Sequence, residues 1–304
     1  MDDRLLKFVF AEAPVRGEVV RIDDAWRRMI AHHDYPAPVL ALLGQMTAAV
    51  ALLAASIKFN GALILQIHGD GPVRLLVAEC QPGFGLRATA KLDETAVIDD
   101  GADLMALVNT RGEGRCAITL DPRDRLPGQQ PYQGVVSLDG TSIATVLETY
   151  MQQSEQLDTR LWLAADGNAA AGVLLQKLPR EGGRAGEAGD TDAWPRAQML
   201  ADTLTTDELV SVPADALLQR LFWQERLVPG EPARPHFACN CSRSRIGQML
   251  RALGRDEIDA IIAERGNVEV TCDFCNARQQ FDAIDAAHLF ATGETGAPPA
   301  GSMH

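Results

Sequence analysis

From Val39 to Ile57 this chain carries no Asp, Glu, Lys or Arg. A charge-free run of that length either crosses a membrane or forms the centre of a core. The run is Ala-rich, contains Gly44, Gln45, Thr47 and Ser56, stands alone in the chain, and is followed by strand-like alternation. These features predict a buried central helix with sheets packed on it, and no membrane span.

The rest of the composition is that of a globular protein. Hydrophobic residues make up 46% and charged residues 23% of 304 residues, which excludes collagen-like, coiled-coil and wholly disordered classes. The length suggests about two domains. Lys+Arg number 28 against 41 Asp+Glu, a net charge of −13. An acidic surface repels phosphate backbones, so no nucleic-acid partner is expected. The start, Met1 to Lys7, lacks the long apolar stretch and small-residue cleavage site of a signal peptide, so a reducing cytoplasm is the expected compartment.

Residues 1–178 read as one α/β unit. Gly17–Ile22 alternates like a strand, Asp23 and Asp24 stand where a helix cap is needed, and Trp26, Met29 and Ile30 follow at helical spacing. Residues 63–67 and 73–78 flank the turn Gly69-Asp70-Gly71-Pro72. Further strands are expected at 86–92, 115–120 and 132–138, with a loop from Asp121 to Pro131. Thr141 and Ser142 start a helix with one apolar stripe, and residues 161–165 and 170–176 form a hairpin about Asp166-Gly167. No Walker, Rossmann, HExxH or GxSxG motif is present, and no enzyme activity is expected.

Composition shifts at Pro179. Residues 180–190 are Gly-rich and charged, which predicts a flexible loop. Residues 191–235 suggest short helices: one through Met199, Leu200 and Leu204, one starting at Thr206, and one starting at Pro213 with Leu217, Leu218, Leu221 and Phe222 on a face. Helices this short persist only when packed on something. Pro229–Pro235 reads as a breaker-rich link. The domains expected are therefore 1–178, a helical linker 179–235, a small unit 236–290 and a disordered tail 291–304. The small unit should hold two helices ended by Gly254 and Gly266, a hairpin from Val268 to Phe281, and a final short helix from Ile284 to Phe290.

The chemistry lies in the cysteines. Four of six fall in Cys239-Asn-Cys241 and Cys272-Asp-Phe-Cys275. A CxxC at a hairpin tip aims two sulfurs at one point, and a CxC segment supplies two more. Four thiolates make a closed tetrahedral zinc site of the structural kind. The unit is small and poor in aromatics, so zinc would contribute on the order of 10 kcal/mol to its folding. Two alternatives stand beside this reading: a thioredoxin-like pair, which would need Cys272 at a helix N-terminus, and four unrelated buried thiols. His236 is a competing ligand by position and a solvated linker histidine by context. Cys80 and Cys116 are isolated and read as core residues.

These residues bring a family with them. The chain resembles the 33-kilodalton heat-shock protein family of redox-regulated holdase chaperones. At the C-terminal end the resemblance rests on Cys239-x-Cys241-Ser242-Arg243, on Leu253-Gly254-Arg255-Asp256-Glu257, and on Val268-Glu269-Val270-Thr271-Cys272-x-Phe274-Cys275. Upstream it rests on Arg16–Arg21, His33–Pro36, Gly69–Pro72, Pro131–Val136 and Gln153–Gln156. Asn276 stands where the family commonly has Gly, and the Gly-rich insert after Pro179 is a second departure. The resemblance implies an α+β chain: an N-terminal α/β domain with mixed or antiparallel sheets on the central helix, a metastable helical linker and a C-terminal four-cysteine zinc domain. It implies one zinc on Cys239, Cys241, Cys272 and Cys275 in a reduced, inactive form. It further implies Cys239–Cys241 and Cys272–Cys275 disulfides on oxidation, ATP-independent binding of unfolded clients, and a homodimer when oxidised.

The residues supply a reason for such a switch. Zinc would tie two segments across about 30 intervening residues, whereas disulfides between near neighbours close only small loops. The other functional classes are a thiol–disulfide oxidoreductase using Cys272 and Cys275, and a zinc-ribbon nucleic-acid binder. Five Arg against six Asp or Glu between Cys239 and Cys275 leave the second without a basic patch.

Overall fold

A computed structural model describes residues 3–124, 130–179 and 192–291. The Gly-rich stretch 180–190, part of the 121–131 loop, and the tail beyond residue 291 lie outside the described residues. The chain divides into two units, Met1–Ala238 and Cys239–His304.

The first unit begins with β1 (Arg4–Phe10), β2 (Val15–Ile22), α1 (Asp24–Ile30) and α2 (Ala37–Ser56). Then come β3 (Gly61–His68), β4 (Val73–Gln81), β5 (Gly85–Leu92), α3 (Leu104–Val108), β6 (Arg115–Pro122) and β7 (Tyr132–Ser137). The α4 helix (Ile143–Gln153) leads into the hairpin of β8 (Thr159–Ala165) and β9 (Ala170–Lys177). Three short helices, α5 (Ala193–Ala201), α6 (Thr206–Ser211) and α7 (Ala214–Phe222), precede the short strands β10 (Leu227–Pro229) and β11 (His236–Phe237).

The uncharged run is α2, and it is buried around nearly its whole circumference. It packs on β2, β8 and β9 of one sheet and on β3, β4 and β5 of another. A helix apolar on every side needs apolar partners on more than one side, and two sheets supply them. It is long and apolar enough to cross a membrane, but its side chains are spent in this core. Gly44 allows a close approach to β8: a Cβ there would fall 2.3 Å from the Cβ of Ala165.

The first sheet is antiparallel in the order β10-β1-β2-β9-β8. The second runs β11-β5-β4-β3-β6-β7, antiparallel except for the parallel β11-β5 pair. The first sheet is apolar on both faces. Leu5, Val20, Ile22, Leu161 and Leu174 face the α2 core. Phe8, Phe10, Val15, Val19, Val173 and Leu175 form a second core with Ala197, Ala201, Leu209, Leu217, Leu221 and Phe222 of the three short helices. Period-2 alternation puts both sets on the same strands. Gly17 makes room for this second core, because a Cβ there would fall 2.4 Å from the Phe8 ring. Phe8, Phe10 and Phe222 then meet with ring centroids 5.4–6.1 Å apart.

Several local expectations are corrected. Asp23 does not cap α1 with its side chain; it pairs with Arg21 at 3.0 Å. Asp3 does the capping from 20 residues away, accepting from the backbone N–H groups of Asp23 (2.6 Å), Asp24 (3.0 Å) and Ala25 (3.0 Å). The buried face of α5 is Ala193, Ala197 and Ala201, while Met199 is 65% exposed and Leu204 lies past the helix end. Small residues fit there because the helix lies close on the sheet. The breaker-rich link is also more than a break, since it runs directly from β10, which ends at Pro229, to β11, which starts after Pro235.

The second unit holds α8 (Arg243–Leu253), α9 (Arg255–Arg265), β12 (Val268–Thr271), β13 (Arg278–Phe281) and α10 (Ala283–Ala291). Gly254 and Gly266, at φ +98° and +82°, end the first two helices. Its core is Ile246, Leu250, Ile258, Val268, Phe281 and Ala286, while Met249 and Leu253 are exposed.

Candidate metal centre

Strand register builds the site from one side. β12 and β13 pair from Val268↔Phe281 to Thr271↔Arg278, so Cys272–Cys275 is the hairpin tip. The tip is closed by Cys272 N–H to Ala277 C=O (3.0 Å) and Asn276 N–H to Cys272 C=O (2.9 Å). Asn276 takes φ +54°, the left-handed conformation that Asn tolerates and Gly commonly supplies.

The other side is the segment leading into α8. Ser242 caps that helix by accepting from the Arg245 N–H at 3.2 Å, which fixes the direction of Cys239 and Cys241 just before it. Arg243 closes the Cys239-x-Cys241-Ser242-Arg243 motif. Its guanidinium donates to the Gln280 carbonyl (2.7 Å), pairs with Asp285 (2.7 Å) and lies 4.2 Å from the Phe281 ring centroid. It braces the CxC segment against the strand that leaves the CxxC turn.

All four sulfurs lie within 4.8 Å of one another, and each cysteine is half-buried. Cys239 and Cys272 approach to 3.7 Å, and Cys241 and Cys275 to 3.2 Å. A tetrahedron with metal–sulfur bonds of about 2.3 Å has edges of about 3.8 Å. The donor set therefore fits a metal ion bound by four sulfurs, with no side chain left over and no position open. His236 is not in the cluster; it sits in β11 with its Nδ1 3.3 Å from the Arg234 carbonyl.

The thiols are not equivalent. Burial raises the pKa of Cys239 and Cys241; in Cys241 the neighbouring thiols add to the rise. Burial is the largest single influence on Cys272 and raises it, but the backbone N–H groups of Phe274 and Cys275 and the thiols of Cys239 and Cys275 together hold it below its ordinary value. Of the three shifted thiols in the cluster, Cys272 is thus the one whose surroundings favour the thiolate. Cys80 and Cys116 are the opposite case. Both are buried in the α2 core, and burial pushes each up to about 12, with the Glu79 charge adding at Cys80.

Comparison with known proteins agrees with this geometry. A family model described as Hsp33 protein matches residues 3–282. A 33 kDa chaperonin of Methylobacillus flagellatus is 47% identical over 295 residues, covering 96% of each chain. Another, of Nitrosococcus oceani, is 45% identical over 302 residues and covers 99% of each. The crystal structure of a 33 kDa chaperonin from Thermotoga maritima superposes with a TM-score of 0.78, covering 96% of this chain and 99% of that one at 20% identity. That last likeness speaks for the fold; the first two and the family model speak for descent. The chain belongs to the Hsp33 protein family.

Proposed function

We propose that this protein is a cytoplasmic, redox-regulated, ATP-independent holdase chaperone that binds unfolding client proteins. The observation that carries the reading is the first sheet, apolar on both faces, with its outer face covered by α5, α6 and α7. These helices have six to nine residues each, too short to persist in water alone. A cover this weak can be withdrawn, and a large apolar surface then opens to clients. The names of the relatives, 33 kDa chaperonins, support the same reading.

In this scheme residues 1–178 form the binding core, 179–235 the metastable linker and 236–290 the redox switch. Zinc is the metal, held by Cys239, Cys241, Cys272 and Cys275 in the reduced state. The bound ion supplies a cross-link between two chain segments and keeps the four sulfurs deprotonated. Under peroxide, one thiolate takes a hydroxyl from the oxidant and becomes a sulfenic acid. Its neighbour's sulfur attacks, an S–S bond forms, and the hydroxyl leaves as water. Each thiolate pair gives two electrons to one peroxide, whose O–O bond breaks and whose two oxygens leave as water. Pairing Cys239 with Cys241 and Cys272 with Cys275 leaves no link across the 30 residues between, and the switch unit melts. The linker loses support, and oxidised monomers pair as dimers.

Light scattering from a heat-unfolding client tests the scheme. Protein treated with peroxide at elevated temperature should suppress aggregation, and reduced, zinc-loaded protein should not. Suppression by neither form would remove the holdase reading. Equal suppression by both would remove the redox gate.

A further inference from the structure

The segment from Arg226 to Ala238 has a main-chain pattern that its proline content hides. The Ala11 N–H donates to the Arg226 carbonyl at 2.9 Å, and the Gly230 N–H donates to the Lys7 carbonyl at 2.7 Å. Ala233 and Leu5 exchange both bonds, at 2.8 and 2.9 Å. His236 then donates to Phe84 at 3.0 Å, and Ala238 to Leu86 at 2.9 Å. Pro229, Pro232 and Pro235 stand directly before the donors Gly230, Ala233 and His236 and have no N–H to offer. The segment can therefore pair with the sheets on its inner side, but it is a poor template on its outer side.

It also closes two sheet edges in one pass. β10 is antiparallel to β1, the outer strand of one sheet without it, and β11 is parallel to β5, the outer strand of the other. Each contact includes an apolar anchor. Leu227 packs on the linker-side core, while Ala233 and Phe237 pack on the α2 core, with the Arg28 guanidinium 5.7 Å from the Phe237 ring centroid. The segment looks like a bound extended peptide that happens to belong to the same chain.

We propose that residues 226–238 are an internal occupant of a two-edge peptide site. When the linker leaves, an extended apolar segment of an unfolding client takes their place on β1 and β5 by strand addition. The proposal rests on the holdase reading and adds a binding mode to it. Main-chain pairing needs no particular client sequence, because every unfolded segment carries unpaired N–H and C=O groups in the same alternation. The seated segment fixes what the edges accept: an antiparallel run along Leu5–Ala11 and a parallel one along Phe84–Leu86.

The test uses the full-length protein and a fluorescent synthetic peptide of residues 225–238. One analogue is N-methylated at Gly230, Ala233, His236 and Ala238, and a second at Leu227 and Glu231. The parent peptide should bind the oxidised protein and not the reduced protein, and a heat-unfolded client should displace it. The first analogue should bind at least about tenfold more weakly, and the second like the parent. Equal binding of all three peptides would overturn strand addition in favour of docking on apolar faces. Absence of peptide binding to an oxidised protein that still suppresses aggregation would overturn the inference and leave the holdase reading standing. Loss of peptide binding as the oxidised protein dimerises, with client binding retained, would give the edges to a second copy and overturn the client assignment. An oxidised protein that suppresses nothing ends the holdase reading, and the inference with it.

Discussion

The two units solve the same problem with different means. The first wraps two sheets around a helix that is apolar on all sides, and most of its large side chains reach that core. Among the described residues, the second spreads six buried hydrophobic side chains over three helices and one hairpin. Burial stabilises roughly in proportion to the apolar area removed from water, so the first unit can stand on its core and the second is marginal without help. Help is available at one place, where four sulfurs converge from two segments. In the proposed scheme the zinc cross-link would sit in the unit with the least core to fall back on.

The largest expected effect breaks the comparison at that bond. Cys272→Ser should abolish stoichiometric zinc binding and cost the second unit a contribution on the order of 10 kcal/mol. Protease should then cut freely in the linker helices and between residues 239 and 291 while the α2 core stays resistant. A variant that still holds one zinc, or whose second unit resists protease, would mean that six side chains suffice after all.

A smaller effect sharpens it inside the first unit, between its two cores. Phe222→Ala removes a ring that meets Phe8 and Phe10, and should cost linker docking about 3–5 kcal/mol. The reduced protein should then suppress client aggregation without oxidant, while its zinc content stays normal. Leu52→Ala, a cut into the α2 core, should instead lower the melting temperature of the unit and open no holdase activity. Reduced Phe222→Ala that docks its linker and stays inactive would show that the helices are not the cover.

How far the sequence could be read follows the same division between near and far. The α2 helix, the β8-β9 hairpin, the capped start of α4 and the CxxC tip are set by neighbours a few residues apart, and all were legible. The cap on α1 was not, because Asp3 reaches Asp23, Asp24 and Ala25 only after β1 has paired with β2. β1 itself was missed for a related reason. Its two faces enter different cores, so Leu5, Leu6, Phe8 and Phe10 show no clean alternation. β10 and β11 were hidden by prolines that look like breakers along the chain and act as one-sided strand residues against a sheet. The convergence of the four cysteines was legible from their spacing. The brace by Arg243 was not, since its partners Gln280 and Asp285 lie across the unit.

The last prediction separates the two units by pH. Glu18 lies in β2 within the first unit, nearly fully buried, with one carboxylate oxygen lacking a hydrogen-bond partner among the described residues. Burial raises its pKa to about 7, against the lowering pull of Arg16 and Lys7. An unfolded glutamate releases its proton near 4.5, so between about pH 4.5 and 7 the folded unit holds a proton that the unfolded chain has lost. Stability that is fully present below pH 4.5 is therefore lost as pH rises through 7, by about 3 kcal/mol in all. Glu18→Gln should flatten that slope, as read by urea unfolding of the reduced protein from pH 5 to 8. The four-sulfur centre responds with the opposite sign. Its ligands must be deprotonated, so metal affinity weakens as pH falls. Mild acid should thus favour the first unit and weaken the second, and mild base the reverse. If Glu18→Gln leaves the slope of the first unit unchanged, some other group carries it and Glu18 is ionised in the folded unit as it is in the unfolded chain.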